Sequence, residues 1–412
     1  MTSALLFIII ITILIIGFAL DQMVDYKNYR WFSKPIPEIL SDVYDAEKYQ
    51  KQQRYHIENY RFGIISAWLS FVLMCFMLIF KGFAFVNHIV LQLTDNYILQ
   101  TLLFFGVCYV VTLVISLPFS IYETFVIEKK YGFNTTTPKV FITDMFKSLL
   151  ITLLISGGLL TLIVYIYMLT VTWFWLLAWI AITSFSIFMG IFYSSLIVPL
   201  FNKQTPLEEG ELKTAIVSFA EKAGFNLSNI FVIDGSKRST KANAYFTGLG
   251  KRKRIVLYDT LIKEMSIDEI VAVLAHEIGH YKHKHIYKSM VFGVIQMGIM
   301  LAIFGYFASN NELSAALGVE KATFHIALIA FVIIYSPIST LLGIFSNFQS
   351  RKNEYQADNF AKNYGLSAPL ISALKKLNAH NMSNLTPHPC MVFLEYSHPP
   401  LYERVKKMEE PA

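Results

Sequence analysis

Long apolar runs alternate along this chain with polar segments of very unequal length. A helix needs about 20 mostly apolar residues to cross a bilayer, and seven runs approach that length: Ala4–Leu20, Phe62–Phe80, Ile98–Leu117, Leu149–Met168, Trp173–Leu196, Val291–Phe307 and Phe324–Phe345. The pattern predicts seven membrane-spanning helices. The sixth is short and diluted by glycine. Only a few residues separate the fourth from the fifth, which predicts a tight hairpin. The first run has no basic residue before it and no small-residue cleavage site after it, since "GFALDQ" follows directly. It therefore reads as a retained anchor and not as a signal peptide.

Two polar segments are long enough to fold, from about Pro199 to Tyr287 and from about Ser346 to the end. In the first, periodicity predicts a helix over Leu212–Ala223 and strands at Ile230–Asp234, Ala242–Thr247 and Arg254–Tyr258. The last two strands are joined by a turn at "GLGKRKR", and a further helix starts at Ser266. The tail predicts helices over Ser350–Tyr364, Ala368–Leu377 and Pro400–Met408. The organisation expected is a first membrane unit of five helices (1–198), an α+β segment (199–289), two more spans (290–346) and a helical tail (347–412).

Composition supports the membrane assignment. Of 412 residues, 55% are hydrophobic and 16% charged, against about 25% charged in soluble domains; mean hydropathy is +0.48. The net charge of +6 follows topology and excludes no membrane reading, whereas it gives no support to nucleic-acid binding. With seven spans, roughly 33 of the 35 Lys and Arg fall on one side, and only Lys81 and Lys321 on the other. That bias places the N-terminus outside and both folded segments in the cytosol. The sequons at Asn134, Asn226, Asn381 and Asn384 all fall on the cytosolic side, where glycans are not added. "GKRKR" reads as a basic hairpin turn. Cys75 and Cys108 sit in apolar runs, and with Cys390 they imply no disulfide framework.

The chemistry concentrates in "VLAHEIGHYKHKH", Val273–His285. His276 and His280 are four apart, so on a helix both imidazoles share one face and reach one ion. They continue the apolar stripe of Ile270, Val273 and Leu274, which places them inward. Glu277 stands beside them as a general base. This H-E-x-x-H spacing is the zinc-hydrolase signature; zinc lowers the pKa of a coordinated water towards about 7 and polarises a scissile carbonyl. A catalytic zinc keeps three protein ligands and one open position. The metzincin pattern fails, because His283 and Ile286 stand where Gly and His are required. His283 lies one turn beyond His280 and His285 is expected to point elsewhere; for both, a solvated role or a role in supporting a ligand is expected over metal ligation. Among acids, Glu312 and Glu320 belong to the outer loop. Glu354 and Asp358, in "RKNEYQADNF", emerge just past the seventh span on the histidine side and are four apart. The sequence thus predicts Glu354 as third ligand and Asp358 as the partner that fixes an imidazole tautomer.

Four segments, "SKRSTKANAYFTG", "VAVLAHEIGHYKHKH", "SRKNEYQADNFA" and "YSHPPLYERV", together resemble the type I CAAX prenyl endopeptidases, integral-membrane zinc proteases that process the a-factor precursor and prelamin A. The resemblance covers nearly the whole chain. It implies a mainly α membrane protein whose spans form a barrel around a water-filled chamber, with a small cytosolic α+β zinc metallopeptidase domain made from the fifth loop and the tail. It implies zinc on His276, His280 and Glu354, Glu277 as base, His398 as oxyanion stabiliser and Arg404 as a brace. Asn243, Ala244 and Tyr245 would form an edge strand that holds substrate by strand addition.

The expected partners are the bilayer and a peptide or protein substrate, prenylated at its C-terminus or not. A broader membrane-protein quality-control protease is the alternative. A site-2-type intramembrane protease is disfavoured, since no Asn-Pro-Asp-Gly stretch lies in a span. The ending "MEEPA" carries neither a dilysine nor a KDEL-type signal, which fits a bacterial inner membrane better than an endoplasmic-reticulum one.

Overall fold

The computed structural model describes residues 2–225, 227, 229–247 and 254–411. The expected turn over 248–253 and the sequon asparagine Asn226 lie outside the described residues. Six helices of twelve residues or more come first: α1 (Ser3–Trp31), α2 (Ala46–Ile79), α3 (Gly82–Leu93), α4 (Tyr97–Tyr122), α5 (Pro138–Leu169) and α6 (Phe174–Leu196). The polar segment then forms β1 (Gln204–Pro206), α7 (Glu211–Lys222), β2 (Asn229–Ile233), β3 (Ala244–Thr247), β4 (Arg254–Tyr258) and α8 (Ile267–Lys282). The chain ends with α9 (His285–Phe307), α10 (Phe324–Asn363), α11 (Ser367–His380), α12 (Pro389–Glu395) and α13 (Leu401–Glu409).

Among the described residues, seven helices are long and apolar enough to cross a membrane: α1, α2, α4, α5, α6, α9 and α10. Local chemistry sets their starts. Asp45 accepts from Lys48 N (2.8 Å) ahead of α2, Asn96 accepts from Leu99 N (3.0 Å) ahead of α4, and Thr137 caps α5 with Pro138 in its first turn. The α5–α6 hairpin closes through four residues, as its spacing predicts.

Four elements differ from expectation. Helix α3 is an apolar segment of 12 residues, too short to span, set off from α2 by Lys81 in the left-handed region (φ 54°). The seventh span and the first tail helix are one continuous helix of 40 residues. Hydropathy marks where lipid ends, but "SNFQSRKNEY" contains nothing that stops helical hydrogen bonding. Strand β1 and helix α12 are too short to carry a periodic signal.

Buried side chains in the spanning helices collect at their two ends. At the end away from the histidines, Ile10, Leu78, Phe104, Val164, Phe174, Phe304 and Phe324 pack into one cluster. A buried polar group pins it: His325 bonds Asn87 Oδ1 (2.8 Å) and Thr101 Oγ1 (3.3 Å). Between the ends the helices are open, and only 6–17% of the residues in their apolar windows are buried. A close-packed bundle would bury a stripe along each helix. These helices therefore pack against one another at their ends and leave most of their length unpacked.

The second cluster is the α+β domain. Its sheet has the order β1-β2-β4-β3; β2 and β4 are parallel, the other pairs antiparallel. Ile230, Ile255 and Leu257 from the sheet meet Ile270, Leu274 and Ile278 from α8, Ala361 from α10 and Leu370 from α11. Ion pairs tie this domain to the membrane helices: Arg238 binds Asp144 through two bonds (2.7 and 3.0 Å) and the Phe201 carbonyl (2.7 Å), and Lys241 meets Glu128 at 3.0 Å.

Candidate metal centre

Helix α8 begins with a capping box, Ser266 Oγ accepting from Glu269 N and Glu269 accepting from Ser266 N. The Glu269 carboxylate also accepts from Ser372 Oγ (2.6 Å) and Lys376 Nζ (2.8 Å) on α11. Burial works against its charge, but these donors hold it below the usual carboxylate range. One turn before its end, α8 crosses α10 at Gly279, where an added Cβ would lie 3.0 Å from Ala357 Cα and 3.0 Å from Phe360 Cβ. A larger residue there would force α10 to give way by a few tenths of an ångström. The crossing brings Glu354 and Asp358 opposite His276 and His280.

Nε2 of His276 and Nε2 of His280 are 3.1 Å apart, and Glu354 oxygens stand 3.4 and 3.2 Å from them. The three ligand atoms lie within 4.8 Å of one another. Three lone-pair donors facing each other at this range need a cation or protons between them. Glu354 Oε2 is buried and accepts no hydrogen bond among the described residues, although Arg404 Nη1 stands 3.4 Å away. Two imidazoles and a carboxylate are a donor set suited to zinc, and the geometry fits such an ion.

The outer nitrogen of each imidazole is also engaged. His276 Nδ1 lies 2.8 Å from Asp358 Oδ1. Burial opposes a charged His276, yet the bonds to Asp358 and Glu354 raise its pKa to about 9. Asp358 in turn accepts from Arg404 Nε (2.9 Å) and Nη2 (2.6 Å), and both side chains are buried. His280 Nδ1 faces His285 Nδ1 at 3.1 Å, and His285 Nε2 donates to Gln356 Oε1 at 2.8 Å.

This last contact corrects the expectation that His285 points elsewhere. On an unbroken helix, His285 would sit on the far side from His280. Lys284 adopts the left-handed conformation (φ 58°), ending one helix and starting the next, and that break swings His285 back beneath His280. Nothing in "YKHKH" announces such a break, because left-handed positions are usually Gly or Asn. Gly279, a small residue in a bulky stripe, was the readable hint of a close approach. His283 lies outside the three-ligand group and stacks on His285.

Glu277 is partly exposed beside its neighbour ligand and acts electrostatically on Arg404. His398 Nε2 stands 3.4 Å from Glu354 Oε1 with its side chain 65% exposed, and its Nδ1 meets Ser397 Oγ at 3.0 Å. Asn243 precedes β3, and Ala244 and Tyr245 lie within it, at the edge of the sheet. Asn243 Oδ1 accepts from Ala244 N (2.9 Å), and the Tyr245 hydroxyl is 3.4 Å from Ser194 Oγ on α6. An apolar cavity of about 550 Å³ opens at the end of β3, where Phe246 and Thr247 meet Ile182 and Ile187 of α6 and Met290 and Met297 of α9.

Residues 25–203 match the family described as CAAX prenyl protease N-terminal, five membrane helices, and residues 206–412 match peptidase family M48. The chain is 35% identical to a rice protein named CAAX prenyl protease 1 homolog, over 97% of this chain and 96% of the rice protein. It is 33% identical to CAAX prenyl protease 1 of Saccharomyces cerevisiae, over 95% and 92% of the two chains. The crystal structure of S. mikatae Ste24p superposes with a TM-score of 0.92 at 33% identity, covering 99% of this chain and all of that one. These relatives are eukaryotic and lend no support to a bacterial origin. With both of its halves matched and its fold shared end to end, the chain belongs to the CAAX prenyl protease 1 family of M48 metallopeptidases.

Proposed function

We propose that this protein is a zinc metalloendopeptidase that hydrolyses peptide bonds inside a membrane-embedded chamber and removes C-terminal residues from CAAX-type prenylated substrates. The observation that carries the reading is the convergence of His276, His280 and Glu354 within 4.8 Å. One zinc ion held there would supply a Lewis acid for the scissile carbonyl and activate water. Glu277 takes the proton of the attacking water and passes it to the leaving amine. His398, exposed next to Glu354, donates to the developing oxyanion. Asp358 and Arg404 hold His276 in one tautomer and orientation.

Substrate binds as an added strand on β3. The Asn243 carbonyl accepts from Tyr258 N (3.1 Å), so alternation along the strand turns the backbone groups of Ala244 and Phe246 to the free edge. The Asn243 side chain, which bonds Ala244 N, yields to substrate there. The apolar cavity at the end of β3 supports a lipidated substrate, since it offers hydrocarbon surface beside the strand. The N-terminus lies outside and the zinc domain in the cytosol.

The test is cleavage of one CAAX peptide with and without its farnesyl group by protein purified in detergent, with Glu277→Gln as control. Cleavage of the lipidated peptide alone, lost in the variant, is the expected result. Equal cleavage of both would keep the protease and assign it to broader membrane-protein degradation. Turnover unchanged in Glu277→Gln would overturn the mechanism.

A further inference from the structure

We infer that His285 is a positioning residue for the metal centre: it accepts a hydrogen bond from His280 Nδ1 and is itself oriented by Gln356. The inference rests on the zinc reading above. If His280 gives Nε2 to the ion, its proton sits on Nδ1. The atom 3.1 Å from that nitrogen is His285 Nδ1, which must then be an unprotonated acceptor. The other nitrogen of His285 consequently carries the proton, and it lies 2.8 Å from the Gln356 oxygen, an acceptor. Each ring N–H of His280 and His285 then meets one acceptor.

The surroundings hold this arrangement in place. His285 is 3% exposed and its ring packs between the His280 and His283 rings, with centroids 5.1 and 5.4 Å away. It is not a ligand of the same ion, because it faces the back of the His280 ring, away from Nε2. The two ligand histidines are thus oriented by different means. An acid braced by arginine holds His276, and a neutral imidazole braced by an amide holds His280. Residues from α8, α9 and α10 meet in the second arrangement, so it also fixes the sixth and seventh spans against the metal helix.

The experiment is chelator competition for zinc on the purified full-length protein in detergent, with kcat and KM measured on the same samples. Native protein must first bind one zinc per chain; if it binds none, the zinc reading fails and this inference falls with it. His285→Ala is expected to weaken zinc affinity about 10–100-fold, with kcat reduced more than KM. His285→Asn, whose carbonyl can take the place of Nδ1, should recover most of the affinity. Gln356→Leu, which leaves both histidines in place, should weaken zinc by a smaller factor, and it decides the matter if His285→Ala does not fold. Native zinc affinity in Gln356→Leu or His285→Ala, or an Asn variant as weak as the Ala variant, would overturn the assignment.

Discussion

A methyl group at position 279 would stand 3.0 Å from the Cα of Ala357 and from Cβ of Phe360. Neither atom can move without shifting the backbone of α10, so Gly279→Ala should push α8 and α10 apart. The expected cost is about 1–3 kcal/mol of stability, read by thermal unfolding, together with reduced zinc content by metal analysis. Zinc retained at native level would mean the crossing relaxes without disturbing the ligands. Two other substitutions separate holding the metal from using it. Glu354→Ala should lose zinc, whereas Glu277→Gln should keep it and lose turnover; metal loss in the second would contradict its role as base. At this scale the sequence was readable where chemistry fixes spacing, as for His276, His280 and the acids four apart. It was silent where backbone geometry decides. Lys284 carries no mark of its left-handed conformation, and the sequence therefore pointed His285 away from His280 even while allowing it a supporting role.

Helix α8 has a second point of support at its N-terminus. Glu269 caps the helix, accepts from Ser372 and Lys376, and is 5% exposed. Its pKa is depressed in the folded protein, so its contribution is present above the unfolded carboxylate value, about 4.3, and is lost as pH falls through the folded value. Glu269→Gln should lower stability by about 1–3 kcal/mol at neutral pH and flatten the decline of unfolding temperature below about pH 4. An unchanged acid profile would show that the carboxylate is equally paired in the unfolded chain. Elements were legible in the same uneven way. Long apolar runs and the four-residue hairpin marked the spans, and β-branched runs marked β2 and β4. The union of the seventh span with the tail helix was not legible, because the property that marks a membrane boundary is not the one that ends a helix.

Across the whole molecule, the distribution of Lys and Arg predicts the metal centre and the loop around Lys321 on opposite sides of the bilayer. In a cysteine-free background, Lys321→Cys and Glu409→Cys should react with a membrane-impermeant maleimide from opposite faces of sealed vesicles. Reaction from the same face would remove either one span or the assigned orientation. Packing confined to the two ends of the spanning helices was not legible in the residues themselves, since apolar positions mark a span without saying which of its faces meets lipid; a barrel around a chamber was expected only from the family resemblance.

Helix α10 runs unbroken from the polar group around His325 to Glu354 and Asp358. Its 40 residues measure about 60 Å, twice the roughly 30 Å of hydrocarbon it crosses. One helix, with Pro337 inside it, therefore answers to lipid over half its length and carries the acids of the proposed metal site on the other half. A thinner bilayer tilts such a helix further and a thicker one straightens it, and the acid end must then swing against histidines that stand on a separate helix. The enzyme should then be a gauge of membrane thickness. In vesicles of graded acyl-chain length, kcat should peak at one length and fall on both sides, with KM for a short peptide changing less. A flat profile would mean that the ion pairs at Arg238 and Lys241 hold the catalytic domain rigid whatever the lipid does.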